Sequence, residues 1–236
     1  MQLSQIEYGK FGAAENMAMD AAMLETGHQA GQAMWRVYRW TEPAITFGYS
    51  QRWAWVRTRT RDFKGACIRR ITGGGIVDHR ADLTYALTIP PDHSLFRKPA
   101  SDIYRELHRN LATALMDQGH LAGLADCREP CSTDNTSPGP GVCFESPEPF
   151  DVVHPHSGAK LAGAAMRRSR AGILIQGSLD TRHWTDFSRI RFTGIFGDQL
   201  DFWLKAEQVR FTGSLPRDIL EKEQRRYGSP EWNRKR

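Results

Sequence analysis

Two segments of the chain carry residue types able to handle a charged or reacting group. In RRITGGGIVDH (69–79), Gly73, Gly74 and Gly75 follow Arg69, Arg70 and Thr72, and His79 closes the stretch. Consecutive glycines let backbone N–H groups approach a ligand closely, and the arginines bring positive charge beside them. The pattern lacks the Gly-Lys-Ser/Thr end of a Walker A loop and the spaced glycines of dinucleotide folds. A tight hairpin with purely steric needs would use the same three glycines.

The second segment pairs Cys143, in PGVCFESP, with Lys160, in HSGAKLAG. Lys160 is the only lysine between Lys98 and Lys205, in a region that otherwise uses arginine. Lysine in place of arginine suits a role that needs a compact ammonium. An ammonium beside a thiol favours the thiolate, which is the nucleophile. The plainer alternative makes Cys143 a small buried apolar residue and Lys160 a surface charge. Cys127, Cys131 and Cys143 with His154 and His156 match no zinc-knuckle spacing, so no metal is expected.

Several elements must position these residues. Residues 14–26 place Met17, Ala21 and Leu24 on one helical face. MWRVYRW (34–40) and AITFGYS (44–50) read as two strands around a Thr41-Glu42-Pro43 turn, and CIRRI (67–71) and LTYALTI (83–89) as strands flanking the glycines. Residues 101–118 form the clearest helix, with Ser101 as N-cap and a stripe of Ile103, Leu107, Leu111 and Leu115. A Pro/Gly/Ser/Asp-rich loop occupies 126–141. Strands follow at 149–155, 160–168 and 171–179, then helical stretches at DQLDFWLKAEQ and SLPRDILEKEQ. Strands arriving in hairpin-like runs predict an α/β (α+β) fold with a mixed, largely antiparallel sheet packed against helices. Residues 1–210 read as the catalytic domain and 211–236 as a C-terminal helical, basic tail whose last dozen residues fray.

Composition narrows the classes. The 236 residues carry 32 basic and 27 acidic side chains, a net charge of +5, and only a minority of the basic residues are lysine. Arginine forks onto carboxylate or phosphate, so an acidic partner suits the chain, as does a merely solvated surface. No apolar run approaches the ~18 residues of a membrane span, the N-terminus lacks a secretory pattern, and four scattered cysteines make no disulfide framework. A cytoplasmic, monomeric protein that binds neither membrane nor nucleic acid is expected.

RRITGGGIVDHRADLTYALTIP (69–90) resembles the signature of the lipoate–protein ligase and octanoyltransferase superfamily, which shares its catalytic fold with biotin–protein ligases. ENMAMDAAML is similar to the family's first helix and EPAITFGYSQ to its strand ending in Gly-x-x-Gln. GVCFESPEPFDVV followed by GAKLAGAAMRRSRAGILIQGSL resembles, more narrowly, the LipM-type octanoyl-carrier-protein:protein octanoyltransferases. The resemblance implies a biotin/lipoate-ligase type of fold. It assigns Arg69, Arg70, Thr72, Gly73, Gly74, Gly75 and His79 to the acyl pocket, Gly163 and Ala164 to the strand beside the substrate chain, Lys160 to the reacting carbonyl, and Cys143 to the nucleophile. Gln176 stands where the family often has His, so a proton role carried by that imidazole is absent here.

The implied activity moves an octanoyl or lipoyl group from an octanoyl-acyl carrier protein, through Cys143, to a specific lysine of a lipoyl domain such as the glycine cleavage H protein or an E2 subunit. Carrier proteins and lipoyl domains are typically acidic, which suits the basic chain. The transferase needs no cofactor. The alternative is an ATP-dependent lipoate–protein ligase working through a lipoyl-adenylate with ATP and Mg2+. Against it, the stretch after the Gly-Ser-Leu strand is short for the ligase accessory domain. A third reading keeps the pocket in a non-catalytic acyl-binding protein.

Overall fold

The structure, a computed structural model, describes residues 1–126 and 147–235. The first half runs β1 (Gln2–Gln5), β2 (Gly9–Phe11), α1 (Ala13–Ala30), β3 (Ala33–Trp40), β4 (Ala44–Phe47), α2 (Trp53–Arg59), β5 (Ala66–Arg69), β6 (Ile76–Asp78) and β7 (Asp82–Ile89). Then come α3 (Ala100–Met116), β8 (Gly123–Leu124), β9 (Val152–Val153), β10 (Lys160–Ser169), β11 (Gly172–Asp180), α4 (Arg189–Leu204), β12 (Glu207–Arg210), α5 (Arg217–Gly228) and α6 (Pro230–Asn233).

One mixed sheet has the order β12-β1-β3-β7-β11-β10-β9-β8, with β2 also on β3, and a small sheet has the order β5-β4-β6. The pairs β3–β7, β7–β11 and β11–β10 are antiparallel, whereas β1 pairs in parallel with β3 and β12. β11 is buried along its whole length, as a central strand covered on both faces must be. On one face Leu107, Leu111 and Leu115 of α3 and Phe192, Phe196 and Leu200 of α4 pack onto Trp35, Leu87 and Ile175. On the other, Met17, Ala21 and Leu24 of α1 meet Met34, Tyr38 and Leu174. The stripe expected of residues 101–118 is therefore the buried face of α3. Pro99, not Ser101, occupies its N-cap, and no side chain caps it.

β3 and β4 both form around the expected turn, which carries β4 into the small sheet, where it lies between β5 and β6. One further expectation is corrected. The C-terminal stretch is not frayed. Tyr227 is buried, Trp232 Nε1 donates to Arg69 O at 2.7 Å, and Asn233 Oδ1 accepts from Arg69 N at 2.9 Å. Tyr227 and Trp232 add apolar contact against the α1 side, so burial outweighs the repulsion of the surrounding charges.

Candidate active site

A cleft with about 410 Å³ of empty space opens between the large sheet and the segment joining β5 to β6. The register places Tyr38 opposite Thr84, Thr84 opposite Ser178, and Ser178 opposite Gly163, so one row crosses β3, β7, β11 and β10. All four residues line the cleft, with Gln176 and Ala165 in the adjacent row. Three strand spacings make this row roughly 14 Å long. Its floor is built of small side chains at Gly163, Ala165, Ser178 and Thr84.

The cleft roof is the glycine segment, and Arg70 holds its shape. The Arg70 guanidinium donates to Gly73 O (2.7 Å), Gly75 O (2.9 Å) and Thr46 Oγ1 (3.1 Å). Gly74 needs its missing side chain: its φ is +85°, and a Cβ would stand 2.9 Å from the Arg70 guanidinium. Thr72 Oγ1 donates to Gln176 Oε1 at 2.7 Å. Gln176 Nε2 donates to Asp20 Oδ2 at 2.6 Å, and Asp20 also takes Tyr38 Oη (2.8 Å) and the buried Arg36 (2.7 Å). Gln176 thus ties the glycine segment to α1, one arm donating and one accepting. Burial and the Asp20 charge push the Tyr38 phenol well above its ordinary range, so it stays a neutral donor.

His79 closes the far end of the cleft. Its Nδ1 lies 2.7 Å from Asp82 Oδ2 and its Nε2 2.8 Å from Thr46 Oγ1, and Trp40 stacks on its ring. Asp82 Oδ2 also accepts from Ser178 and Thr84 hydroxyls. These bonds fix the wall from three strands at once.

Lys160 stands at the β10 end. A bulge between Lys160 and Ala162 shifts the register against β9, and this turns Lys160 onto the same face as Gly163. A Cβ on Gly163 would meet Lys160 Cε at 2.8 Å and Nζ at 3.0 Å, so the glycine is the space the ammonium lies in. Lys160 Nζ is 2.6 Å from Asp151 Oδ2, and Asp151 is fully buried. Asp151 also accepts from Tyr104 Oη (2.5 Å) and Glu148 N (2.7 Å), while Tyr104 Oη accepts from Ala164 N (3.1 Å). Burial and the neighbouring carboxylate push the Tyr104 phenol up, so it too remains a donor.

The turn that presents Asp151 is held from α3. Phe150 adopts φ +69°, a left-handed conformation costly for a non-glycine residue. Its N donates to Ala125 O (3.1 Å) and its O faces His108 Nδ1 (2.8 Å). A carbonyl only accepts, so Nδ1 carries the proton and Nε2 accepts from Tyr85 Oη at 3.3 Å. Burial lowers the His108 pKa to about 4, which keeps that neutral tautomer in place at physiological pH.

Of the residues singled out from sequence, Arg70, Gly74, His79, Gly163, Ala164 and Gln176 line one cleft. Thr72, Gly73 and Gly75 are bonded to them, and Lys160 lies against Gly163. Arg69 lies elsewhere: its guanidinium is buried and donates to the carbonyls of Tyr49, Gln51, Trp232 and Asn233, anchoring α6. Cys143 lies outside the described residues, as do Cys127 and Cys131, so the Cys143–Lys160 pairing has no geometry here. Asp151, Tyr104 and His108 were not singled out. For Asp151 a signal existed, an acid set directly before Val152-Val153 in an apolar stretch.

A cleft lined by small strand residues and glycines, with a buried lysine at one end, places the domain in the lipoate-ligase fold class. The lipoate-protein ligase A structure bound with ATP superposes with a TM-score of 0.75 at 16% identity, covering 99% of both chains. A structure from the work on a bi-partite lipoate protein ligase and its E2 lipoyl domain from Thermoplasma acidophilum gives 0.72 at 17% identity, covering 99% of this chain and 96% of that one. The family model for the lipoyl protein ligase A/B catalytic domain matches residues 12–189, and the chain belongs to that family. Octanoyltransferase LipM of Kyrpidia tusciae is 31% identical over 179 residues, 72% of this chain and 63% of the relative. That of Oceanobacillus iheyensis is 34% identical over 173 residues, 71% of this chain and 59% of the relative. The match therefore spans less than two thirds of the length of these relatives. No helix among the described residues is long and apolar enough to cross a membrane.

Proposed function

We propose that the protein is an octanoyltransferase that moves an octanoyl group from an acyl carrier protein thioester, through Cys143, to a lysine of a lipoyl domain. The observation that carries this reading is the Lys160 ammonium, held by Asp151 against Gly163 at one end of a narrow cleft. An extended eight-carbon chain is on the order of 10 Å long from carbon–carbon bonds of about 1.5 Å, which fits a row of four strands. The likeness to octanoyltransferases LipM supports the choice of acyl group and of transfer over adenylation.

In the first step the Cys143 thiolate adds to the thioester carbonyl and the carrier thiolate leaves, giving an acyl-enzyme thioester. In the second, the neutral acceptor amine adds to that thioester, the Cys143 sulfur leaves as the thiolate, and the amine proton passes to it as the amide forms. Lys160 stabilises the oxyanion of both additions, and Asp151 and Tyr104 hold it there. Thioester exchange is nearly isoenergetic and amide formation from a thioester is downhill, so the route needs no ATP. A structural role for residues 211–236 goes with it, since α6 holds Arg69 beside the glycine segment and α5 packs on α1.

Acceptor mass read after two incubations tests the reading. Octanoyl-carrier protein without ATP should add one octanoyl group to the lipoyl domain, and octanoate with ATP and Mg2+ should add none. The opposite pattern establishes the ligase reaction instead.

A further inference from the structure

Outside the cleft, four of the cations that lie on aromatic faces share the rings of Tyr49, Trp53 and Trp232. The Arg57 and Arg234 guanidinium carbons stand 5.7 and 5.8 Å from the Trp53 ring. Lys235 Nζ is 3.9 Å over Tyr49 and 3.7 Å over Trp232, and Arg167 is 5.2 Å over Tyr49. The ion pairs of the surrounding surface, Arg61–Asp62, Arg217–Glu221 and Arg226–Glu223, involve other residues; among the described residues no carboxylate pairs with these four.

The four form a band that leads to the cleft. At one end, Trp53, Arg57 and Arg234 line an open concavity of about 1020 Å³ between α2 and α6. In the middle, Tyr49 N donates to Thr72 O, at the start of the glycine segment. At the other end, Arg167 donates to Ile71 O. Arg167 shares the β10 face of Ala165, two residues or about 7 Å from the cleft wall. Cations resting on rings have already lost part of their side-chain freedom, so ordering them on docking costs less. Left without carboxylates, they attract and orient an anionic surface.

Both protein substrates of the proposed reaction are typically acidic, so the band attracts either one, and the reacting end is what separates them. The acceptor's lysine cation gains nothing beside the band, whereas the donor's thioester rides on a phosphate-bearing arm that the band attracts along its length. We propose that Arg57, Arg234, Lys235 and Arg167 form the docking surface for the acyl donor, an acidic carrier protein whose arm phosphate passes along the band toward the cleft. The proposal rests on the transferase reading.

Titrating the carrier protein with its arm thiol unacylated into the full chain by calorimetry tests it without acyl transfer. The variant Arg57→Glu/Arg234→Glu/Lys235→Glu should bind about tenfold or more weakly, and wild-type affinity should fall in roughly 0.5 M NaCl. The neutral variant Arg57→Gln/Arg234→Gln/Lys235→Gln should lose less, and Arg217→Glu, on the exposed side of α5, should stay within about twofold of wild type. In transfer assays the triple Glu variant should raise KM for the carrier donor and leave the rate from octanoyl N-acetylcysteamine, an uncharged thioester, unchanged. Unchanged carrier affinity in the triple variant overturns the proposal. So does a loss of affinity confined to a lipoyl domain or to a single-stranded oligonucleotide. Carrier binding that depends on the band without any octanoyl transfer by the wild type would uphold the surface and overturn the transferase reading.

Discussion

Lys160 Nζ lies 2.6 Å from Asp151 Oδ2, with the two side chains 4% and 0% exposed. The carboxylate takes two further donors, Tyr104 Oη and Glu148 N, so its oxygens are satisfied without water. A buried pair of this kind gains little net stability over apolar residues, but removing one partner strands the other charge. Its worth is therefore read as position: it fixes an ammonium that would otherwise sweep a wide volume.

Asp151→Asn should lower acyl transfer on the order of 10²-fold and unfolding stability by about 3 kcal/mol or more. Tyr104→Phe removes one donor from the same carboxylate and should cost about 1 kcal/mol with a several-fold rate loss. Steady-state kinetics beside urea denaturation of both variants checks the order, Asp151→Asn well below Tyr104→Phe. Equal activity of Asp151→Asn and wild type would show that the pair does not position Lys160.

The tight space around the ammonium gives a second pair of outcomes. A Cβ on Gly163 would press on Lys160 Cε at 2.8 Å and on Asp151 Oδ1 at 3.0 Å. Gly163→Ala should displace Lys160 and reduce transfer at least tenfold, with a stability loss of about 1–3 kcal/mol. Lys160→Arg needs a wider site than the one present and should cost nearly as much rate as Lys160→Ala, on the order of 10²-fold. Full activity of Lys160→Arg in the same transfer assay would make the lysine dispensable.

His108 adds a pH dependence. Its folded pKa of about 4 lies below the unfolded value near 6.5, so the unfolded chain binds the proton more readily between them. Stability from this residue is full above pH ~6.5 and is lost as pH falls toward ~4, by about 3 kcal/mol in all. Protonation would also cost the bond that Nε2 accepts from Tyr85 and loosen the Phe150 turn. Urea midpoints measured across this range should fall with pH for the wild type and fall less steeply for His108→Asn. Parallel slopes would mean that His108 is not the titrating group.

The α6 anchor predicts a structural effect at a distance. Trp232→Ala removes a buried ring and the donor to Arg69 O, and should cost about 3 kcal/mol or more. The glycine segment begins three residues after Arg69, at Thr72, so KM for the acyl donor should rise as well. A Tm equal to wild type would contradict the role given to the C-terminal helices.

Much of this architecture is legible in the sequence wherever one element decides for itself. The i, i+4 leucines of α3 and the apolar run of β11 announce their burial before any partner is known. By contrast, α2 reads as an Arg/Trp surface stretch, because its WAWVRTR segment buries only Val56. β6 is three residues long, and β12 pairs with β1 across nearly the whole chain, so neither leaves a local signal. The C-terminal charges conceal Tyr227 and Trp232, which decide the packing there.

The same division holds for the cleft. Gly74 and Lys160 stand out by residue type, since few other residues can do what they do. Asp151, Tyr104 and His108 converge on Lys160 from α3 and from the turn before β9, and no periodicity encodes such a meeting. The Lys160–Gly163 contact depends on a bulge, and an alternating pattern would put the two residues on opposite faces.

Passage of the acyl group through Cys143 under the control of Lys160 leaves a covalent trace on the enzyme. Intact mass, measured after mixing the protein with octanoyl-carrier protein and before any acceptor is added, reads that trace. The wild type should carry one hydroxylamine-labile octanoyl adduct, Lys160→Ala a slower-forming one, and Cys143→Ala none. An unmodified wild type, or a Cys143→Ala variant that still modifies the lipoyl domain within a few-fold of the normal rate, would contradict passage through Cys143.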